Sequence, residues 1–114
     1  MRNYNKLFQA LSDETRLRIY SLLFHDELCV CELIAILKME QSRISHGLRI
    51  LKEAGLIVSH RMGKWKIYSI NKKNENNKIV KALKEEITLS VKDASNLRKC
   101  KEENIRKKMK CPYL

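Results

Sequence analysis

The sequence contains no run of 18 or more apolar residues, so no segment reads as a membrane-spanning helix, and no membrane partner is expected. Its first residues, Met1-Arg2-Asn3-Tyr4-Asn5-Lys6, lack the apolar stretch of a secretory signal, and the chain reads as soluble and cytoplasmic. Glycine is scarce, with three in 114 residues, which leaves no phosphate-cradling or dinucleotide-binding loop. There is no Ser/His/Asp constellation either. An enzyme is not expected, nor an organic cofactor. Histidine is confined to His25, His46 and His60, so the chain beyond the hairpin offers no imidazole ligand.

What the chain does have is positive charge. Twenty-four Lys and Arg against 13 Asp and Glu give a net charge of +11, which fits a polyanionic partner. Residues 1–70 carry eleven basic against seven acidic residues, and residues 71–114 carry thirteen against six. A chain of this length holds one domain, and so small a domain gains from a partner subunit that covers its apolar faces. Four cysteines complete the inventory. In a reducing compartment such residues serve as soft-metal ligands or redox sensors more often than as a disulfide frame.

Apolar spacing sets out the elements. Leu7, Phe8 and Leu11 mark a short first helix, and Ser12-Asp13-Glu14 caps a second one carrying Leu17, Tyr20, Leu23 and Phe24. Leu33, Ile34 and Leu37 define a third that ends near Lys38-Met39-Glu40. In the fourth, Gln41 to Ala54, Ile44, Leu48 and Leu51 share one narrow arc. Gly55 is placed to end it in the left-handed region. A β-hairpin follows, Ile57 to Met62 and then Trp65 to Ile70, with Gly63 at the turn. Ile79, Leu83, Ile87 and Val91 recur every four residues, which predicts one long amphipathic helix. Beyond Asp93 the apolar residues thin out, and a frayed basic tail is expected. The fold class is therefore mainly α with a β-hairpin wing: a winged helix-turn-helix, as a homodimer. Residues 1–92 are expected to form the DNA-binding and dimerisation domain, with 93–114 a cysteine-containing tail. The dimer surface is assigned to Leu7, Phe8, Ile79, Leu83, Ile87 and Val91.

In this order of elements the fourth helix is the reader. Gln41, Ser42, Arg43, Ser45, His46 and Arg49 supply the short donors, acceptors and guanidinium groups that base edges and phosphates demand, and Arg61, Lys64 and Lys66 crowd the hairpin tip. Residue by residue these could equally be solvated surface; their joint placement points to double-stranded operator DNA. Three segments carry a family resemblance: Ala10 to Ile19 (Ala-Leu-Ser-Asp-Glu-Thr-Arg-Leu-Arg-Ile), Gln41 to Leu48 with Leu51-Lys52-Glu53-Ala54-Gly55-Leu56, and the hairpin Arg61 to Tyr68. Through them the chain resembles the arsenic-responsive repressor (ArsR/SmtB) family. The resemblance implies a homodimeric repressor released from its operator by a metal or metalloid. Gly47 departs mildly from the pattern and costs about 1 kcal/mol of helix propensity relative to Ala. The family's zinc site on paired terminal helices cannot be built here without histidines.

Glu27-Leu28-Cys29-Val30-Cys31-Glu32-Leu33 is similar to the signature by which the arsenic branch binds trivalent arsenic or antimony, As(III) or Sb(III). Thiolates suit such soft ions, and a helix start lowers a thiol pKa. Two small buried apolar side chains are the plainer alternative. Residues i and i+2 of a helix point about 200° apart, so convergence of Cys29 and Cys31 on one ion is expected to distort the helix start. Arsenite favours three sulfurs, and the best-known pattern places the third three residues after the pair, where this chain has Ile34. Cys100, Cys111, the other subunit or a small cellular thiol would then complete the set, and the basic neighbours of Cys100 favour its thiolate. A thiol redox or sulfur-sensing repressor and a winged-helix protein-interaction module are the competing readings.

Overall fold

The computed structural model describes residues 4–74 and 77–108. Several helix ends have a visible chemical cause. Helix α1 spans Tyr4–Leu11; α2, Glu14–His25, begins where the Asp13 carboxylate accepts the Arg16 N–H at 3.1 Å. Helix α3, Val30–Leu37, closes at Lys38 in the left-handed region with φ 55°. Helix α4, Gln41–Glu53, ends in paired bonds from the Gly55 N–H to the Lys52 carbonyl and from the Leu56 N–H to the Leu51 carbonyl. Gly55 has φ +78°, the conformation expected of it, and this two-bond stop hands the chain directly into β1.

Strands β1, Ile57–Met62, and β2, Trp65–Ile70, pair antiparallel from Ile57 opposite Ile70 to Met62 opposite Trp65. Gly63, at φ +62°, makes the turn. The ribbon has one further partner: Leu28 and Tyr68 exchange both backbone bonds, at 3.1 and 2.9 Å, which ties β2 to the segment leading into α3. Under these elements lie Ile19, Tyr20, Leu22, Leu33, Ile36, Ile44, Leu48, Leu51 and Leu56, all nearly or wholly inaccessible. Each such Leu or Ile contributes about 1.5–3 kcal/mol relative to exposure. Gly47 belongs to this packing, because a Cβ there would meet Ile19 Cδ1 at 3.1 Å. The missing side chain lets α4 lie close on α2, which answers its poor helix propensity.

The C-terminal part differs from the sequence expectation. The predicted long helix is two helices: α5, Lys78–Glu86, stops at Ile87, and after a short link α6 runs from Val91 to Glu103, followed by α7, Ile105–Lys108. Ser90 caps α6 by accepting the Asp93 N–H at 3.1 Å. The division expected between residues 92 and 93 thus falls inside a helix. Nor is that helix frayed, since polar ties replace the apolar ones it lacks. Asp93, buried, receives both Arg18 Nε at 3.0 Å and Arg18 Nη2 at 2.8 Å, and Asn96 donates to the Ile36 carbonyl at 3.0 Å. Among the described residues no helix is long and apolar enough to cross a membrane.

Removing the Asp93 carboxylate should therefore loosen α6 from α2. Asp93→Ala is expected to lower unfolding stability by about 2 kcal/mol in urea titrations, the scale of a hydrogen-bonded pair involving charge; an unchanged midpoint would show that the tie is dispensable.

Candidate DNA-reading face and thiol site

Helix α4 buries Ile44, Gly47, Leu48 and Leu51 and turns Ser42, Arg43, His46 and Arg49 outward. The exposed guanidinium of Arg49 is braced on both sides, by Glu53 Oε1 at 3.3 Å and His46 Nδ1 at 3.0 Å. Gln41 and Ser45 are half-buried and turned on each other, Gln41 Nε2 donating to Ser45 Oγ at 2.6 Å. On the ribbon Arg61 and Lys64 are exposed and Lys66 is half-buried. Two of these cations lie over rings: Lys64 Nζ is 5.2 Å from the Trp65 centroid and Lys66 Nζ is 5.7 Å from that of Tyr68. Lys52, which the sequence reading passed over, joins helix to ribbon by donating to Ser59 Oγ at 2.8 Å.

Cys29 and Cys31 lie on the far side of the ribbon. Both are buried, in one cluster with Ile67 and the flank of Trp65. Cys29 is the residue before α3, extended at φ −94° and ψ 171°, while Cys31 stands in the first turn. The expected obstacle to convergence is thereby removed: with Cys29 outside the helix, the 200° rule does not apply, and the pair needs no unwinding of α3 to share a neighbour. Behind it sits a carboxylate that the sequence reading missed. Glu32, only 2% exposed, accepts the Cys29 N–H at 3.0 Å, Arg106 Nη2 at 2.7 Å and Lys101 Nζ at 3.3 Å. The Cys29-x-x-Glu32 spacing is that of a capping box, which was a readable signal; Arg106, 74 positions away, left none.

Cys100 reaches the same carboxylate, its Sγ donating to Glu32 Oε2 at 3.9 Å. This corrects the expectation of a thiolate. Burial, and then the Glu32 charge, push the Cys100 thiol up to about 12 despite Lys101 and Arg106. A cavity of about 190 Å³ borders the group, with Glu32, Met62, Trp65, Cys100 and Arg106 in its wall. The Trp65 indole N–H is buried without a hydrogen-bond partner among the described residues. Among the described residues no three His, Cys, Asp or Glu side chains are gathered to hold a metal ion. Cys111 lies outside the described residues. Of the residues assigned to a dimer surface, Leu7 is buried in the chain's own core, Ile79, Leu83 and Ile87 are half-buried, and Phe8 and Val91 are exposed.

A family described as bacterial regulatory protein, arsR family, matches residues 13–59. The arsenical resistance operon repressor of Bacillus subtilis is 39% identical over 77 residues, covering 67% of this chain and 73% of that one. This chain belongs to the arsR family. A transcriptional repressor SmtB homolog of Synechocystis is 45% identical over 65 residues, 57% of this chain and 49% of that protein, so the chain spans about half the length of this ArsR-family relative. Both relatives are transcriptional regulators rather than enzymes. A solved homodimeric winged helix-turn-helix DNA-binding domain of a possible ArsR-family regulator from Mycobacterium bovis aligns with TM-score 0.62 and 26% identity, covering 73% of this chain and 79% of that one.

The buried carboxylate of this ArsR-family chain carries a pH signature. Burial alone would raise the Glu32 carboxyl, but the Cys29 N–H, the Arg106 bond and the Lys101 and Arg106 charges together hold it below its ordinary range. A folded-state value below the unfolded one gives stability that is complete at neutral pH and lost as pH falls through the carboxylate range. Glu32→Gln is therefore expected to be less stable than the parent at neutral pH and to converge with it as pH falls through the carboxylate range in thermal melts. Parallel curves would sink this account.

Proposed function

We propose that this ArsR-family chain is a homodimeric transcriptional repressor that holds operator DNA with α4 and the wing and releases it when As(III) or Sb(III) binds the Cys29 and Cys31 thiolates. The observation that carries the reading is the burial of both thiols in one cluster against the wing residues Ile67 and Trp65. Soft ions prefer such sulfur donors, whereas hard cations seek oxygen sets that are not gathered among the described residues. Cys100, whose thiol meets the same Glu32 carboxylate as the Cys29 N–H, is the third sulfur that this reading favours; Cys111, the other subunit and a small cellular thiol are the remaining sources. A reducing cytoplasm, where such thiols persist, is the compartment it requires. The name of the Bacillus subtilis relative supports the inducer class, and the homodimeric Mycobacterium bovis domain supports the assembly.

On DNA, Ser42, Arg43, Ser45, His46 and Arg49 face the major groove, with Gln41 at the helix entry, and Arg61, Lys64 and Lys66 hold phosphates. Phe8, Ile79, Leu83, Ile87 and Val91 form the two-fold surface that spaces two reading helices about one DNA turn apart, with Leu7 as its buried backing.

Two measurements test these assignments. In gel shifts Arg49→Ala is expected to relax sequence preference, while Lys64→Ala weakens every duplex and lowers the salt slope by about 0.9. Leu83→Glu is expected to sediment as a monomer; a normal dimer with full DNA affinity would refute the interface. For the inducer, Cys29→Ser and Cys31→Ser should bind operator as the parent does yet fail to let go with arsenite. Release at the parental arsenite concentration would exclude the pair. Release by peroxide or persulfide alone would instead favour the thiol redox reading, and no operator binding at all the protein-interaction reading.

A further inference from the structure

Two of the wing's cations lie over rings that themselves rest on the thiol segment. Lys64 Nζ stands 5.2 Å from the centroid of Trp65, and Trp65 packs on the cluster of Cys29, Cys31 and Ile67. Lys66 Nζ stands 5.7 Å from the centroid of Tyr68, and Tyr68 exchanges two backbone bonds with Leu28, the residue before Cys29. The Trp65 indole N–H is buried and has no hydrogen-bond partner among the described residues, so the ring is held by packing and by the Lys64 ammonium rather than by a hydrogen bond. The ribbon that carries both lysines has two strands. Such a ribbon takes its position from what it rests on, being marginal by itself.

We infer that Trp65 is a positioning residue that transmits occupancy of the Cys29/Cys31 pair to the wing, so that release of DNA begins with displacement of the Lys64 ammonium rather than with the reading helix. The inference rests on the inducer assignment proposed above. Arsenite captured by two thiols forms two As–S bonds and loses two As–OH bonds; each thiol proton leaves with a hydroxide as water, and no electron is transferred. The cluster on which Trp65 packs gains an arsenic atom. In a close-packed interior an added atom displaces a neighbour towards free space, and the cavity of about 190 Å³ bordered by Trp65 supplies that space. The ring that moves is therefore Trp65, and Lys64 moves with it. The Leu28–Tyr68 bridge supplies a second lever on Lys66 from the same segment.

The chain has a single tryptophan, so its emission reports this ring without labelling. Arsenite added to the DNA-free parent protein is expected to shift or quench Trp65 emission in step with the loss of two titratable thiols, or three where Cys100 completes the set. DNA affinity should fall on arsenite saturation by a factor in the ordinary range of allosteric coupling, about 5- to 150-fold. In Trp65→Leu thiol consumption should be unchanged while that factor shrinks to about twofold or less. Trp65→Phe, which restores a ring beneath Lys64, should recover most of it, which a merely structural role would not predict. Thermal melts confirm that each variant is folded. Consumption of these thiols with unchanged Trp65 emission, or full coupling in a folded Trp65→Leu, would overturn the inference and leave the inducer assignment intact. If arsenite consumes no thiols, the inducer assignment falls, and a mercurial reacted with Cys29 and Cys31 in a Cys100→Ser, Cys111→Ser background becomes the probe. A shifted emission then supports the path through Trp65, and an unshifted one overturns it.

Discussion

One buried carboxylate organises this molecule. Glu32 lies at the start of α3 with its charge answered from three directions: by the backbone of Cys29, by the ammonium of Lys101 and by the guanidinium of Arg106. An ion taken out of water costs several kcal/mol unless its partners are well placed, so Glu32 compels them to be there. That requirement draws α6 and α7 over α3 and fixes Cys29 as the extended residue before the helix. It also sets Cys100 beside a negative charge rather than in the positive surroundings its sequence neighbours imply. The extended backbone of Cys29 and the seating of Lys101 and Arg106 on α3 are two results of satisfying a single group.

The first seventy residues were readable because their elements are written in local patterns: apolar arcs at helical spacing, glycine at two sharp reversals (Gly55 and Gly63), alternation in the ribbon. The stretch after residue 77 misled because two helices share one period. Ile79, Leu83, Ile87 and Val91 keep the four-residue spacing across a real interruption, since Ile87 leaves α5 in an extended conformation and Ser90 begins α6 anew. Ser90 with Asp93 three residues on was a legible start signal that the apolar count concealed. The order of α6 was not legible at all. It depends on Arg18 meeting Asp93 across 75 positions, and charged residues far apart in sequence do not announce their partners.

The candidate site divides along the same line. Residue types on α4 and at the ribbon tip were recognisable, and the structure leaves Ser42, Arg43, His46, Arg49, Arg61 and Lys64 exposed. The cysteine pair was recognisable too, but its surroundings were not. The ribbon that carries the basic residues Arg61, Lys64 and Lys66 also packs Trp65 and Ile67 on the thiols, so on the proposed reading one pair of strands serves both DNA and ligand. Separation along the chain, some thirty-five residues from Cys29 to Lys64, hides an adjacency that needs only one indole to span.

Gly47 has a consequence for what this scaffold can be made to recognise. Helix α4 lies against Ile19 and Arg16 through a position that has no side chain, close enough that even a methyl group would meet Ile19 Cδ1 at 3.1 Å. The depth and pitch of the helix are thus set by bare backbone on its inner side, and none of the outward residues contributes to that fit. The outer surface is free to be rewritten. On the proposed reading, substitutions at positions 42, 43, 46 and 49 would exchange one DNA vocabulary for another without re-angling the helix, a framework whose target can diverge while its trigger stays the same.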